Sequence, residues 1–297
     1  MTQPSRLRQV GTVLLWAFLC VVVVAASWSL AVRLIPNPAV GIIRVNTDIW
    51  ATGNDYYFGS VELVMAEIEA ARHDPRIKAV VVTLNSPGGE VVASQTLYLE
   101  LQALRREMPV VGCIETMAAS GGYYAALGTA PLYARPSSSV GNVGVWGYVP
   151  SELAVNDVIL ASGPFKLTGS NRDEFLREIE GIKREFLATV SSQRGQRLAL
   201  SPVELSQGLL YPGREALRLG LVDALGSQSD AIAEAARQAG IAHYTVIDLE
   251  GRVVDKYLKS DSIFIKPWVG AADPQTGQRS LPPGIYVLYD TRLRGVP

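Results

Sequence analysis

IKAVVVTLNSPGGE, residues 77 to 90, is a continuous apolar, β-branched run that stops at a turn bearing two glycines. A run without polar alternation is the pattern of a strand covered on both faces. After the turn, a helical stretch runs through LYLELQALRRE, and PVVGCI (Pro109 to Ile114) reads as a second buried strand. TMAASGGYYAALG follows, placing Ser120 near the start of another helix. Upstream, GIIRV (Gly41 to Val45) reads as a first strand. Ser60 can cap a helix through VELVMAEIEAARHD that ends before Pro75. Strand, glycine-bearing turn and helix alternate, which predicts βαβ units with right-handed crossovers and a largely parallel sheet. Ligands of such sheets sit at the carboxyl ends of strands, where Gly88-Gly89 and Ser120-Gly121 both fall.

Further along, Phe175, Ile179, Ile182, Phe186 and Val190 recur at helical spacing and predict an amphipathic helix. Helical stretches are expected near SPVELSQG, GREALRLG and LVDALG, then through AIAEAARQAG, with a strand at YTVIDL. The tail from Asp261 onward is rich in Pro and Gly and holds one short apolar run, IYVLY. Its composition leaves open whether it packs on the body, enters a neighbour's cleft or stays mobile. No internal repeat is present.

At 297 residues the chain can bury a sizeable core in one large domain or two modest ones. Its 27 basic and 28 acidic side chains nearly cancel, so no overall field draws it to nucleic acid. Two cysteines, Cys20 and Cys113, do not make a disulfide framework. With two histidines and neither HExxH nor paired CxxC, no metal site is expected. A Ser-His-Asp triad would have to use His73 or His243.

Hydrophobicity is concentrated at the N-terminus. Val10 to Val32, VGTVLLWAFLCVVVVAASWSLAV, carries no charge. As a helix rising ~1.5 Å per residue it spans about 34 Å, enough for a hydrocarbon core of roughly 30 Å. Arg6 and Arg8 precede it and Arg33 follows, which favours a cytoplasmic N-terminus and an extracytoplasmic body. The run exceeds the apolar region of a signal peptide, so an uncleaved signal anchor is expected; a cleaved signal peptide is the competing reading. The expected divisions are residues 1–35 (cytoplasmic N-terminus and anchor), 36–240 (the catalytic domain) and 241–297 (a C-terminal extension).

A serine at a strand-to-helix turn exposes its hydroxyl, and the following amide, that of Gly121, is a candidate oxyanion donor. A second donor can come from NSPGG, whose glycines permit close backbone approach. By themselves these features are weak, because serines at helix starts and Gly-Gly turns are common. The GxSxG elbow of α/β-hydrolases is absent around Ser120.

The order of motifs is more specific. NSPGGE, MAASGGYYAAL, ARPSSSVGNVGVWG, ASGPFKLTGS and GLLYPGREALRLGLVDALG together resemble the signal peptide peptidase A family of serine–lysine proteases over roughly residues 40 to 240. More distantly, the fold is similar to the Clp protease subunit and the crotonases. The resemblance implies an α/β fold of stacked βαβ units, with Ser120 as nucleophile and Lys166 as general base. It implies an oxyanion region at Gly88, Gly89 and Gly121, and Asn142 orienting the lysine. No histidine lies between Ser120 and His243, which independently favours a lysine over a Clp-type triad. A lysine base must be neutral, and bringing an ammonium from ~10.4 to near 7.4 takes about 4 kcal/mol, which an apolar cleft can supply.

The chain departs from the family pattern at Asn142, which stands in GNVGV where a serine is usual, and at Leu167, where an acidic residue is common. The segment between GNVGV and Lys166 is also shorter. By resemblance, the substrates are signal-peptide remnants and other membrane-associated peptides, and the protomers form a homo-oligomeric ring. In such a ring Ser120 of one chain meets Lys166 of the next. No cofactor is implied. A catalytically inactive, membrane-tethered binding or scaffold protein is the alternative reading, and a crotonase-type acyl-CoA enzyme is a third.

Overall fold

The structure, a computed structural model, describes residues 14–27, 37–50, 60–147, 162–163, 165–166, 169–259 and 285–288. The chain divides into two compact units, Met1–Pro38 and Ala39–Pro297. In the first, α1 (residues 14–27) is helical with exposed side chains. Among the described residues no helix is long and apolar enough to cross a membrane. The expected anchor, residues 10–32, coincides with described residues only over α1.

The second unit opens with β1 (Ala39–Val45), α2 (Ser60–His73), β2 (Ile77–Ser86), β3 (Gly88–Glu90), α3 (Val91–Glu107) and β4 (Val110–Ala119). Next come α4 (Gly121–Ala126), β5 (Leu132–Ala134), β6 (Ser139–Gly141), β7 (Trp146–Gly147) and α5 (Arg172–Arg194). The chain continues through α6 (Pro202–Leu205), β8 (Leu210–Pro212), α7 (Gly213–Arg218), β9 (Ala224–Leu225) and α8 (Gln228–Gln238). It ends with β10 (Thr245–Asp248), α9 (Leu249–Lys259) and β11 (Ile285–Leu288).

The main sheet runs β10-β1-β2-β4-β5-β9 with every neighbouring pair parallel. Alternate residues of its central strands enter different cores. Val80, Val82, Val110 and Ile114 face one cluster with Ile68, Leu97, Leu101 and Phe186. Ala79, Val81, Val111 and Cys113 face a second, closed by Ala231, Ala235 and Ala236 of α8. A strand with apolar cover on both sides has no polar face to alternate, hence the unbroken run in β2.

Two differences from the sequence reading bear on the site. β4 continues past Ile114 to Ala119, and Leu84 pairs with Ile114 while Ser86 pairs with Ala118. β4 is therefore bulged, and a bulge re-aims the residues after it. Beyond the bulge its edge passes from β5 to β6, with Ala119 opposite Gly141. LVDALG, expected to be helical, forms β9 instead. Asp223 holds it there: its carboxylate accepts the Leu132 amide at 2.7 Å and a two-pronged pair of bonds from buried Arg194. YTVIDL, which the sequence reads as a strand, joins the main sheet as β10, beside β1.

One buried group is only half satisfied. Glu67 on α2 is fully buried; one carboxylate oxygen accepts the Arg44 amide at 2.9 Å and the other has no hydrogen-bond partner among the described residues. Burial, against that one hydrogen bond, pushes its carboxyl up to about 8. A carboxyl whose folded pKa is raised favours the fold most when neutral. Its contribution is therefore complete below about 4.5 and declines as pH rises towards 8. Glu67→Gln is expected to be more stable than the parent by ~4 kcal/mol at pH 8 but only by ~1 kcal/mol at pH 5. Urea unfolding at the two pH values measures the difference.

Candidate active site

β4 ends at Ala119, α4 begins at Gly121, and Ser120 between them has φ 51° and ψ −121°. A residue bearing a Cβ rarely adopts such a backbone, and holding it there costs roughly 1–3 kcal/mol. Several contacts enforce it. The Ser120 amide donates to the Gly141 carbonyl at 2.8 Å, and the Ser120 carbonyl accepts the Tyr124 amide at 2.9 Å. A Cβ on Gly122 would come within 2.6 Å of the Ser86 carbonyl oxygen, so the first turn of α4 rests on the end of β2. Tyr123, fully buried, donates its hydroxyl to the Leu221 carbonyl at 2.8 Å. Tyr124 packs against Tyr98 and Phe186, with ring centroids 5.3 and 4.8 Å away. The tyrosines of SGGYY thus clamp α4 from behind, and Ser120, contrary to the exposed hydroxyl that the sequence predicts at this turn, is buried at 2% exposure under that packing.

The Gly88-Gly89 turn lies alongside. Gly88 has φ 105° and donates its amide to the Oγ of buried Ser86 at 3.1 Å. At Gly89 a Cβ would fall 1.9 Å from the Ile49 carbonyl oxygen, so no side chain fits. Ile49 donates its amide to Gly88 and accepts that of Glu90, both at 2.8 Å. The Gly121 amide opens α4, among the donors that a helix leaves unpaired at its start. Ser86, Gly122 and Tyr123 shape the site, although the sequence reading did not single them out. The second glycine of SGG was the available signal for the close contact at Gly122.

Asn142 also has positive φ, 54°. Its backbone amide donates to the Leu209 carbonyl and its side-chain amide to the Gly208 carbonyl, each at 2.8 Å. That ties the GNVGV turn to the start of β8. Lys166 sits exposed on a turn in which its amide donates to the Gly163 carbonyl at 3.2 Å. Phe165 beside it is exposed too. Among the described residues no hydrogen bond joins Lys166 to Ser120 or Asn142. Residues 148–161, Pro164 and Leu167 lie outside the described residues. The structure therefore assembles Ser120, Gly88, Gly89 and Gly121 around two adjoining turns and leaves Lys166 exposed on the surface. Among the described residues, no group of three His, Cys, Asp or Glu side chains is placed to hold a metal ion.

A model of peptidase family S49 matches residues 102–242, a span that contains Ser120, Asn142 and Lys166. "Putative protease slr0021" of Synechocystis is 33% identical over 183 residues, covering 57% of this chain and 65% of that protein. "Protease 4" of Salmonella typhi is 32% identical over 212 residues, covering 66% of this chain and 34% of the relative. "Putative signal peptide peptidase SppA" of Enterococcus faecium is 25% identical over 252 residues, covering 79% of this chain and 71% of that one. The chain thus spans less than two thirds of the Synechocystis protein and about a third of the Salmonella one.

The strain at Ser120 has a measurable consequence. Glycine adopts this backbone freely but loses more entropy on folding, ~0.5–1 kcal/mol. Ser120→Gly is expected to raise folding stability by about 1 kcal/mol, whereas Ser120→Ala, which keeps the Cβ, leaves it nearly unchanged. The urea midpoints of the three proteins give the comparison.

Proposed function

We infer that this chain, a member of peptidase family S49, is a serine endopeptidase whose nucleophile is Ser120. The observation that carries the reading is the backbone of Ser120, strained to φ 51° and ψ −121° between a strand end and a helix start. A strained turn of that kind lifts a nucleophile out of the sheet and sets the following amide beside it. Peptide hydrolysis then runs through an acyl-enzyme. The Ser120 oxygen attacks the scissile carbonyl, its proton passes to the base, and the Gly121 amide with the Gly88-Gly89 turn holds the oxyanion. Water resolves the ester with the same base.

The base in this proposal is Lys166, placed there by its SGPFK context. Lys166 is exposed in the single chain. A general base must come within hydrogen-bond reach of the serine hydroxyl, which favours a ring in which Ser120 of one chain meets Lys166 of another. The uncharged run around α1 supports a single membrane anchor with the peptidase on the extracytoplasmic face. Substrates are accordingly peptides left in or near the membrane, such as signal-peptide remnants. The exposed position of Lys166 equally motivates the second reading, a tethered peptide-binding protein without turnover.

Hydrolysis of an apolar peptide library separates the two readings. Ser120→Ala and Lys166→Ala are each expected to lower kcat by at least ~10³-fold with the folded assembly intact. Turnover that survives Lys166→Ala would place the base elsewhere, and a wild type without turnover would favour the binding protein. Mixing the two inactive variants under subunit exchange tests the shared site. If the dyad forms between protomers, about a quarter of wild-type activity returns; if it forms within one, none does.

A further inference from the structure

Between the ends of α3 and α5 lies a recess of about 110 Å³ whose charged lining is Arg105, Arg194 and Arg197, with Gln193, Thr129 and Ala130 beside them. One water takes roughly 10–15 Å³ on that scale, so the recess suits a group of several heavy atoms. It is remote from Ser120. The Ala130 amide donates to the carbonyl of Val110, the first residue of β4, whereas Ser120 follows the last. The 10 residues of β4 hold those two ends about 30 Å apart.

Among the described residues no carboxylate lines the recess. Asp223, which is not part of that lining, pairs with both Arg194 and Arg197 and so offsets one of the three positive charges. The other bonds of these two arginines go to carbonyls: Arg194 Nε to Gly220, Arg197 Nε to Arg194 and Arg197 Nη2 to Gln193. A guanidinium carries five N–H donors, so each of the two keeps uncommitted ones. Arg105 has more to give. It is half-buried on the last turn of α3, and among the described residues it makes no hydrogen bond or ion pair. A half-buried charge without a counter-charge is unfavourable, the more so when two further guanidinium groups share its cavity.

An anion relieves that repulsion. We propose that the recess binds a phosphate group, free or as a monoester, held jointly by Arg105, Arg194 and Arg197. Such a group carries ~1.5–2 negative charges at pH 7, matching what Asp223 leaves unbalanced, and guanidinium forks fit its oxygens. Inorganic phosphate and the headgroup of phosphatidic acid both offer this chemistry. The bound anion ties the end of α3 to the end of α5, the helix whose Phe186 packs on Tyr124.

Calorimetric titration of the full chain in uncharged detergent micelles tests the site, first with inorganic phosphate. Arg105→Gln removes a guanidinium that bonds to nothing in the fold. Arg106→Gln, exposed on the same turn, makes the same change of net charge outside the recess. Saturable binding is expected in the parent, weakened ~10-fold or more by Arg105→Gln and unaltered by Arg106→Gln. Equal weakening by both would reduce the effect to general charge and overturn the proposal. So would a parent that shows no saturation by ~20 mM phosphate, where a site of millimolar affinity is full. Melting of Arg105→Gln in phosphate-free buffer is expected to match the parent; a drop of several degrees would show a structural role instead and overturn the site.

Titration with dihexanoyl phosphatidic acid and dihexanoyl phosphatidylcholine separates the two sources. Phosphatidic acid that binds more tightly than inorganic phosphate, and is lost with Arg105→Gln, assigns the site to a lipid headgroup. Equal or weaker binding assigns it to free phosphate, and either result keeps the site. Phosphatidylcholine binding as tightly as phosphatidic acid would overturn it, because a phosphate monoester would then not be what is recognised.

Discussion

The functional end of this molecule depends on one peptide unit, the one that carries Ser120 through positive φ between β4 and α4. That conformation is unfavourable alone, and the surroundings over-determine it. Gly141 accepts the Ser120 amide, Gly122 lets α4 sit against the Ser86 carbonyl, and Tyr123 anchors the helix to Leu221. The bulge in β4 belongs to the same device, because it moves the edge from β5 to β6 and so brings Gly141 to Ser120. Strain of roughly 1–3 kcal/mol persists at a site only where such packing prevents its relaxation.

The two-sided sheet is what makes that packing rigid. Large side chains fill one core around Leu97, Leu101 and Phe186. The other is thin, with alanines of α8 lying close on Val81 and Val111. Both faces being closed, the carboxyl ends of β2 and β4 are where the sheet can meet a ligand, and the Gly88 turn and Ser120 sit there together. The Arg194–Asp223 pair has a related part. Buried ion pairs are costly to desolvate, yet this one is matched by a two-pronged geometry and by the Leu132 amide. It holds the end of α5 to the loop entering β9 and keeps α5 over the tyrosines of α4.

Gly89 shows why main-chain pairing constrains sequence at so few places. The Ile49 carbonyl occupies the space of a side chain there, and the remaining hydrogen-bonding groups of Gly89 face β11. Recognition through backbone groups is indifferent to most side chains, so β3 and β7 pair with β11 without demanding a particular sequence of it.

The range of each interaction decides how much of the fold and site is legible in the sequence. β2 and the first half of β4 are readable because burial on both faces writes an unbroken apolar run into neighbouring residues. α2, α3, α5 and α8 are readable because one buried stripe repeats at helical spacing. Ser120 can be placed at a strand-to-helix turn, and the motif order points to the family. β3, β5, β6, β7 and β9, of two or three residues each, carry no periodicity, since their existence depends on partners far along the chain. LVDALG has a helical look that the commitment of Asp223 to Leu132 and Arg194 overrides. IYVLY is visible as an apolar run, but nothing local identifies Gly88–Glu90 and Trp146–Gly147 as its neighbours. Local composition and spacing thus determined which segments become strands and helices and which residues are chemically able. The strained backbone of Ser120, the surface position of Lys166 and the pairing of β11 were decided by non-local contacts, which no stretch of sequence contains by itself.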